Sequence, residues 1–348
     1  MADKIEFTIN GQSVMADKGM TILDAALRKG IYIPNLCHHR ELEPVGACRL
    51  CQVEIAGKWT KTVISCKTQV QDGMVVRTET PEINKMRQIT LELLIADHDT
   101  DCLDCAQNTK CALQRVADHV GINKKRLQRL KPRGKKLPID DSNPFFSFDP
   151  NRCVLCGICV RTCDELQNVQ AIDYAYRGLG TKIAGFGDNL RIESNCESCG
   201  ECIVRCPVGA LTEKDYQRPT HKVKTVCSFC GCGCGLILGV RDNQLVSAQG
   251  DVNSKANKGR LCVKGRFGYK FVNHPDRLTS PLVKRNGEFV KVEWDEALDL
   301  VADTFSKSKG EKFAAISSAK ATNEDNYVLQ KFTRAVMGTN NIDHCARL

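Results

Sequence analysis

The sequence predicts an α+β chain of several small domains rather than one large core. Three observations carry this reading. The 21 cysteines among 348 residues fall into tight groups separated by long cysteine-free stretches. Residues 5–9 alternate with the period of a strand, whereas residues 83–95 repeat with that of a helix. Between residues 144 and 215 a four-cysteine run occurs twice, as an internal repeat.

The elements follow in order. Ile5, Phe7 and Ile9 alternate up to Asn10-Gly11, a hairpin signal. Thr21 then caps a short helix that Gly30 ends. Val53, Ile55, Trp59, Val63, Val75 and Val76 supply further strands, so a small mixed sheet frames the first cysteines. From Pro81, the residues Ile83, Met86, Ile89, Leu91, Leu94 and Ile95 make the apolar side of a helix. A second helix follows Cys111, with Leu113, Val116 and Val120 inward. The polar stretch 131–143, holding Pro132, Gly134 and Pro138, reads as a linker. Residues 144–215 offer little apolar sequence for a core, so the repeat is expected to draw its stability from what its cysteines bind. After Arg218-Pro219 a new unit starts at Val223. Beyond Pro281 a helix over 294–305, a strand over 313–316 and a helix over 326–337 open an α/β layer that reads as incomplete.

Disulfides do not explain the cysteines. Runs of Cys-x2-Cys and Cys-x3-Cys cannot all be bridged pairwise, whereas a metal or a cluster gathers them. Met1 to Glu6 leads straight into the alternating pattern, without a secretory leader, a twin-arginine signal or a membrane-length apolar run, so a reducing cytoplasm is the expected setting. The formal charge of +9 counts the cysteines as neutral. Nineteen thiolates on five cores of about +2 each add roughly −9, which nearly cancels the excess. The densest basic run, Lys124 to Lys136, lacks interleaved aromatics and leads into Pro138. A solvated helix end is therefore expected there, and no nucleic-acid partner.

Five ligand sets account for the cysteines. Cys37, Cys48, Cys51 and Cys66 combine two loop neighbours with two remote residues, which suits a 2Fe-2S rhombus; zinc in four thiolates is the bland alternative. The second set is His98, Cys102, Cys105 and Cys111. Three cysteines need a fourth donor, and His98 stands one helical turn before Cys102; an uninvolved surface histidine is the other reading. Cys153-x2-Cys156-x2-Cys159-x3-Cys163 and Cys196-x2-Cys199-x2-Cys202-x3-Cys206-Pro207 form a two-cluster pattern, in which the fourth cysteine of each run ligates the other cluster. One cubane then takes Cys153, Cys156, Cys159 and Cys206, and the other Cys196, Cys199, Cys202 and Cys163. Asp164 stands where the second run has Pro207, a departure that removes no ligand. The fifth set, Cys227, Cys230, Cys234 and Cys262, ties two segments around another 4Fe-4S cluster. Cys232 lies among them, yet neighbouring loop side chains are not expected all to converge on one cube. Only Cys232 and Cys345 are left over, and no Ser-His-Asp or Cys-His-Asp set stands out.

The order of these sets carries a resemblance. Residues 1 to about 215 resemble the amino-terminal electron-transfer region shared by iron-only hydrogenases, the large iron-sulfur subunit of respiratory NADH dehydrogenase, and cytoplasmic formate dehydrogenases. Cys227-Ser-Phe-Cys230-Gly-Cys-Gly-Cys234 and Leu261-Cys262-Val-Lys264-Gly265-Arg266 then resemble the opening of a molybdopterin oxidoreductase. Ser318-Ala-Lys-Ala-Thr-Asn-Glu-Asp-Asn-Tyr327 and Gly338-Thr-Asn-Asn-Ile-Asp-His-Cys-Ala-Arg-Leu348 resemble the formate dehydrogenase alpha subunit. The resemblance implies a multidomain α+β chain. A 2Fe-2S ferredoxin-like β-grasp domain spans 1–80, a 4Fe-4S domain ligated by one histidine and three cysteines 81–138, and a two-cluster ferredoxin-like domain 139–218. A molybdopterin-oxidoreductase 4Fe-4S lobe at 219–280 and a partial pterin-binding α/β domain at 281–348 complete it.

It further implies one 2Fe-2S and four 4Fe-4S clusters, with a molybdenum or tungsten bis-pterin guanine dinucleotide in a complete family member. Lys264 is implied as an electron relay beside that pterin, and Ser318, Thr322, Asn323 and Asn326 as its contacts; a solvated lysine and a plain helix-entry loop are the ordinary readings. In that family the motif ending His344-Cys345-Ala346-Arg347-Leu348 is followed by a selenocysteine or cysteine metal ligand. The 348-residue chain by itself is therefore expected not to oxidise formate. Implied partners are a flavin- and iron-sulfur-containing NAD-linked subunit, a ferredoxin, or hydrogenase subunits. The rival class is a non-catalytic electron-transfer subunit of a hydrogenase or NADH dehydrogenase-like complex.

Overall fold

The structure is a computed structural model that describes residues 4–130 and 136–345. The chain divides into two compact units, Met1–Asp215 and Tyr216–Leu348. In the first, β1 (Lys4–Ile9) and β2 (Gln12–Asp17) form the expected hairpin. Asn10 and Gly11 both take left-handed φ values, 50° and 79°, as a tight two-residue hairpin turn requires. α1 (Ile22–Arg28) starts at Thr21, whose hydroxyl accepts the Asp24 N–H at 3.1 Å. With β3 (Gln52–Ala56), β4 (Lys61–Ile64) and β5 (Val75–Arg77) the sheet runs β2-β1-β5-β3-β4. Among these strands β1 and β5 pair in parallel and the other neighbours are antiparallel. Phe7, Ile9, Val14, Val53 and Val76 share a core with Ile22, Leu23 and Ala26 of α1, giving a β-grasp arrangement. Trp59, expected in a strand, instead lies between β3 and β4 and is 83% exposed.

α2 (Pro81–Ala96) buries Ile83, Leu91 and Ile95, but also Arg87 and Glu92, while Ile89 is exposed. α3 (Ala112–Val120) buries Leu113 and Val116. α4 (Lys124–Leu130) carries the start of the basic run. That run is not merely solvated: buried Glu92 accepts the Asn123 N–H at 2.8 Å and Arg126 Nη2 at 3.0 Å, which pins α4 to α2. Its continuation and the first part of the linker, residues 131–135, lie outside the described residues.

The repeat corrects the expectation of a missing core. β6 (Phe146–Phe148), the hairpin of β7 (Asp173–Ala175) with β8 (Lys182–Ala184), and β9 (Leu211–Glu213), which pairs with β6, surround two short helices. These are α5 (Ile158–Arg161) and α6 (Glu201–Arg205). Phe146, Phe148, Ile158, Ile172, Ile183, Val208 and Leu211 are buried in one cluster with Leu91, Leu113 and Val116. The apolar residues fall in short groups of two or three, too few to show a periodicity; pooled with α2 and α3 they suffice.

In the second unit, β10 (His221–Val226), β11 (Gly235–Arg241) and β12 (Gln244–Gly250) form an antiparallel meander, and α7 (Val263–Phe267) follows Cys262. A hairpin of β13 (Leu282–Arg285) and β14 (Glu288–Lys291) comes next, unforeseen in the sequence. α8 (Trp294–Ser306), β15 (Ala315–Ser317), α9 (Asn323–Ala335) and β16 (Ile342–His344) complete the chain. β15 and β16 pair in parallel across α9, as in an α/β layer. Trp294, Leu298 and Val301 stay exposed on α8. Among the described residues no helix is long and apolar enough to cross a membrane.

Candidate iron-sulfur sites

Cys37, Cys48, Cys51 and Cys66 are all buried. Cys51 immediately precedes β3 and Cys66 follows β4, so the β3–β4 pairing brings these distant residues together; Cys37 and Cys48 come from the preceding loop. They form two close pairs. Cys48 N–H donates to Cys37 Sγ at 3.4 Å and Leu36 N–H to Cys48 Sγ at 3.4 Å. The thiols of Cys37 and Cys48, and those of Cys51 and Cys66, each also share a side-chain hydrogen bond. Accepting that bond pulls down Cys37 in one pair and Cys51 in the other, while Cys48 and Cys66 keep the shared proton and are pushed up. Two pairs of thiols match two irons with two thiolates each. Buried Arg87 holds the backbone beside Cys51, donating from Nη2 to Gln52 O at 2.7 Å and from Nη1 to Glu79 at 3.0 Å.

His98, Cys102, Cys105 and Cys111 line one cavity. His98 follows the end of α2, its N–H bonded to Ile95 O at 3.0 Å, and Cys111 stands at the start of α3. Gly209, from the repeat, forms part of the same wall, where an added Cβ would lie 2.3 Å from Cys105 Sγ. The backbone there passes against the sulfur. Ala112 N–H also donates to Pro207 O at 2.9 Å, so Cys111 and Cys206 are neighbours of one hydrogen-bonded pair.

Two further cavities divide the repeat. One is lined by Cys153, Cys156, Cys159 and Cys206, the other by Cys163, Cys196, Cys199 and Cys202. Each thus collects three cysteines of one run and the last of the other. The runs also match in backbone: Leu155 and Ser198 have φ of 52° and 55°, and Gly157 and Gly200 have 69° and 75°. Left-handed non-glycine residues are costly, and their recurrence at equivalent positions marks a turn imposed by the site. Leu155 N–H points to Cys153 Sγ at 3.4 Å and Ala171 N–H to Cys163 Sγ at 3.3 Å. Cys163 lies in a π-helical turn, Thr162–Leu166. Burial pushes the Cys153 thiol up to about 12 and Cys206 up to about 11, so metal binding must displace tightly held protons.

Two arginines were not singled out by sequence. Arg161, between Cys159 and Cys163, donates from Nη2 to Cys37 O at 2.6 Å and from Nη1 to Glu43 O at 2.7 Å, tying the first set to the repeat. Arg191 lines the cavity of Cys163 and is 2% exposed. Nothing in the local sequence distinguishes either from a surface arginine.

In the second unit Cys227 is buried, whereas Cys230, Cys232 and Cys262 are exposed. Burial raises the Cys227 thiol, as does repulsion from Cys262, Cys230 and Cys232. Cys227 N–H bonds Cys234 O at 2.8 Å. Cys232 Sγ stands 3.5 Å from Cys234 Sγ. Lys264 is exposed on α7. Ser318 and Asn326 line a common cavity with His344, and Asn326 Nδ2 donates to Ser318 O at 3.2 Å. Thr322 is engaged in a capping box with Asp325, and Asn323 opens α9, which explains why that helix starts earlier than its apolar pattern.

The donor chemistry of the second, third and fourth sets fits clusters: their thiols wall cavities instead of closing on a point, and a glycine leaves room at Cys105. Among the described residues no group of His, Cys, Asp or Glu is arranged to hold a single metal ion.

Comparison with known proteins agrees. The chain matches a 2Fe-2S iron-sulfur cluster binding domain over residues 2–81 and an NADH-ubiquinone oxidoreductase-G iron-sulfur binding region over 87–126. A 4Fe-4S dicluster domain matches 152–210, a molybdopterin oxidoreductase Fe4S4 domain 220–274, and a molybdopterin oxidoreductase model 277–348. It is 36% identical to the NADH-quinone oxidoreductase G-2 subunit of Rhizobium meliloti, over 99% of this chain and 40% of that protein. It is 37% identical to NADPH-Fe(3+) oxidoreductase subunit alpha of Geobacter sulfurreducens, with 99% and 40% covered. Against a putative formate dehydrogenase of Staphylococcus aureus it is 32% identical, with 100% and 39% covered. The chain therefore spans about two fifths of the length of these relatives. The crystal structure of an NAD+-reducing NiFe-hydrogenase superposes with a TM-score of 0.55 at 32% identity, over 60% of this chain and 87% of that one. The chain belongs to the iron-sulfur and molybdopterin oxidoreductase superfamily that includes the large iron-sulfur subunits of NADH dehydrogenases, formate dehydrogenases and hydrogenases, and it is an iron-sulfur electron-transfer module of that family.

Proposed function

We propose that this chain holds one 2Fe-2S and four 4Fe-4S clusters in the five ligand sets given above, and carries electrons between an NAD- or NADP-linked flavoprotein and an acceptor site of a larger enzyme. The observation that carries this reading is the pair of cavities that each collect four cysteines across the two runs. Such clusters supply reversible one-electron transfer, and the protein sets ligands, burial and hydrogen bonding. The first two sets both meet the repeat, one through Arg161 and Cys37 O, the other through Ala112 N–H and Pro207 O. Relatives named as NADH-quinone and NADPH-Fe(3+) oxidoreductase subunits, and a hydrogenase that reduces NAD+, support the nicotinamide-linked partner. Anaerobic reconstitution should give about eighteen irons per chain with acid-labile sulfide, reducible by NADH or NADPH through the flavoprotein. Colourless protein holding zinc without sulfide refutes the reading.

A second, narrower reading makes the chain part of a formate dehydrogenase alpha subunit in the cytoplasm, with ferredoxin as a further acceptor. It is favoured by the stretch Ser318–Tyr327 and by relatives named putative formate dehydrogenases. There Ser318, Thr322, Asn323 and Asn326 contact a molybdenum or tungsten pterin, and Lys264 relays electrons. The shared cavity of Ser318 and Asn326 supports two of these contacts; the capping role of Thr322 does not. Domain boundaries after residues 80, 138, 218 and 280 belong to the same proposal. Formate-dependent dye reduction by the native protein, with its intact mass showing whether selenocysteine or cysteine follows Leu348, tests it. Native protein that is fully loaded yet inert to formate leaves only the broader role.

A further inference from the structure

The two cavities of the repeat differ in one respect that the cysteine pattern does not show. That of Cys153, Cys156, Cys159 and Cys206 is lined otherwise by uncharged residues, among them Val154, Ile183 and Leu211. That of Cys163, Cys196, Cys199 and Cys202 includes the guanidinium of Arg191. The carboxylates on the same wall do not cancel this charge: Glu201 is paired with Arg205, and Glu197 is exposed. Arg191 itself is held in place by Phe148, whose ring centroid lies 4.5 Å from Cζ, and by Asp140, 3.9 Å from Nε. That distance is too long for a hydrogen bond, and both Nε and Nη2 are buried without a hydrogen-bond partner.

A buried charged donor left unsatisfied is expensive, and native structures keep one where a ligand completes it. The acceptor suited to this place is sulfur, as thiolate or cluster sulfide. Resting on the cluster assignment above, we propose that Arg191 donates N–H···S hydrogen bonds to the cluster held by Cys163, Cys196, Cys199 and Cys202, and makes it the better electron acceptor of the pair. Reduction adds one negative charge to a cluster. A fixed cation and its donors stabilise that charge, and they act far more strongly in a buried site than in water. The charge of Arg191 also reaches Cys153 and Cys159 of the partner set, so the difference between the two rests on its N–H donors, which line the cavity of Cys163 and not that of Cys206. Electrons therefore settle on the cluster nearest Arg191.

The test uses the full chain with all clusters reconstituted and EPR-monitored redox titration. Arg191→Met should weaken the electron affinity of one 4Fe-4S cluster at least tenfold, or about 59 mV for a one-electron couple. Arg191→Lys, which keeps the charge, should lose less, and the 2Fe-2S potential should stay put. Were Arg191 only a brace for Phe148 and Asp140, thermal stability would fall while every potential held; that result overturns the inference. Should Arg191→Met fail to assemble, pulsed EPR of the unmodified protein in H2O and D2O decides. An exchangeable proton strongly coupled to a 4Fe-4S cluster, lost in Arg191→Lys or altered in its coupling, supports the inference, and its absence refutes it. If the unmodified chain takes up no 4Fe-4S cluster at all, the electron-transfer reading falls as well, which separates the two failures.

Discussion

Gly209→Ala isolates the contact between the His98 site and the repeat. The added Cβ would lie 2.3 Å from Cys105 Sγ, about 1.2 Å inside the ~3.5 Å of ordinary non-bonded contact. In the metal-free protein the sulfur is the end of a side chain that can rotate away, so folding should be little affected. Once Cys105 is bonded to iron, its position is fixed by three further ligands and it can no longer yield. The strain then falls on the loaded state alone, at about 1–3 kcal/mol for an overpacked site, or about 5- to 150-fold in cluster retention. Iron analysis and EPR after reconstitution should show a loss of about four irons, confined to the histidine-ligated signal, with an unchanged melting temperature for the metal-free chain. Full occupancy of that site in Gly209→Ala would refute the placement of Cys105 Sγ as an inward ligand.

Other expectations follow from single contacts. Cys206→Ser should abolish the cluster of the first run, not its own, and Cys163→Ser should abolish that of the second; EPR of each variant tells crossed from uncrossed ligation. Arg87→Met leaves Gln52 O without its buried donor, and because Glu79 is 43% exposed and solvent-screened, the loss is set by that carbonyl at about 1–3 kcal/mol in urea unfolding. Asp140 is held below the usual carboxylate range: burial works to raise it, but hydrogen bonds from Ser142 and the Arg191 N–H outweigh burial. A depressed folded value stabilises above the unfolded pKa and is lost as pH falls through the folded one. Asp140→Asn should therefore destabilise at neutral pH and flatten the acid limb below about pH 4, measured by thermal melts across pH.

The candidate ligand sets stand out in the sequence because their signal is covalent and local. Cys153 to Cys163 and Cys196 to Cys206 are spaced by single helical or turn steps that suit a cluster, so the pattern is visible without knowledge of the tertiary fold. Thr21 and Thr322 were readable as caps or loop residues for the same reason, since a cap acts within three residues. What escaped the sequence acts between segments. The core of residues 144–215 is assembled from short apolar groups far apart in sequence, pooled with Leu91, Leu113 and Val116. Arg161 reads as a surface arginine until its guanidinium is found on the carbonyl of Cys37, 124 residues away. Arg191 is silent until Asp140 and Phe148 close over it. The division has a physical basis: bonds to iron select the donor atoms, whereas the environment that ranks one cluster against another is set by charges and peptides several ångströms off, brought there by the fold. Spacing therefore proposes a number and kind of clusters, and only the packed structure bears on their order as electron acceptors. For the two cavities of the repeat that order turns on one guanidinium, present in the cavity of Cys163 and missing among the lining residues of the cavity of Cys206.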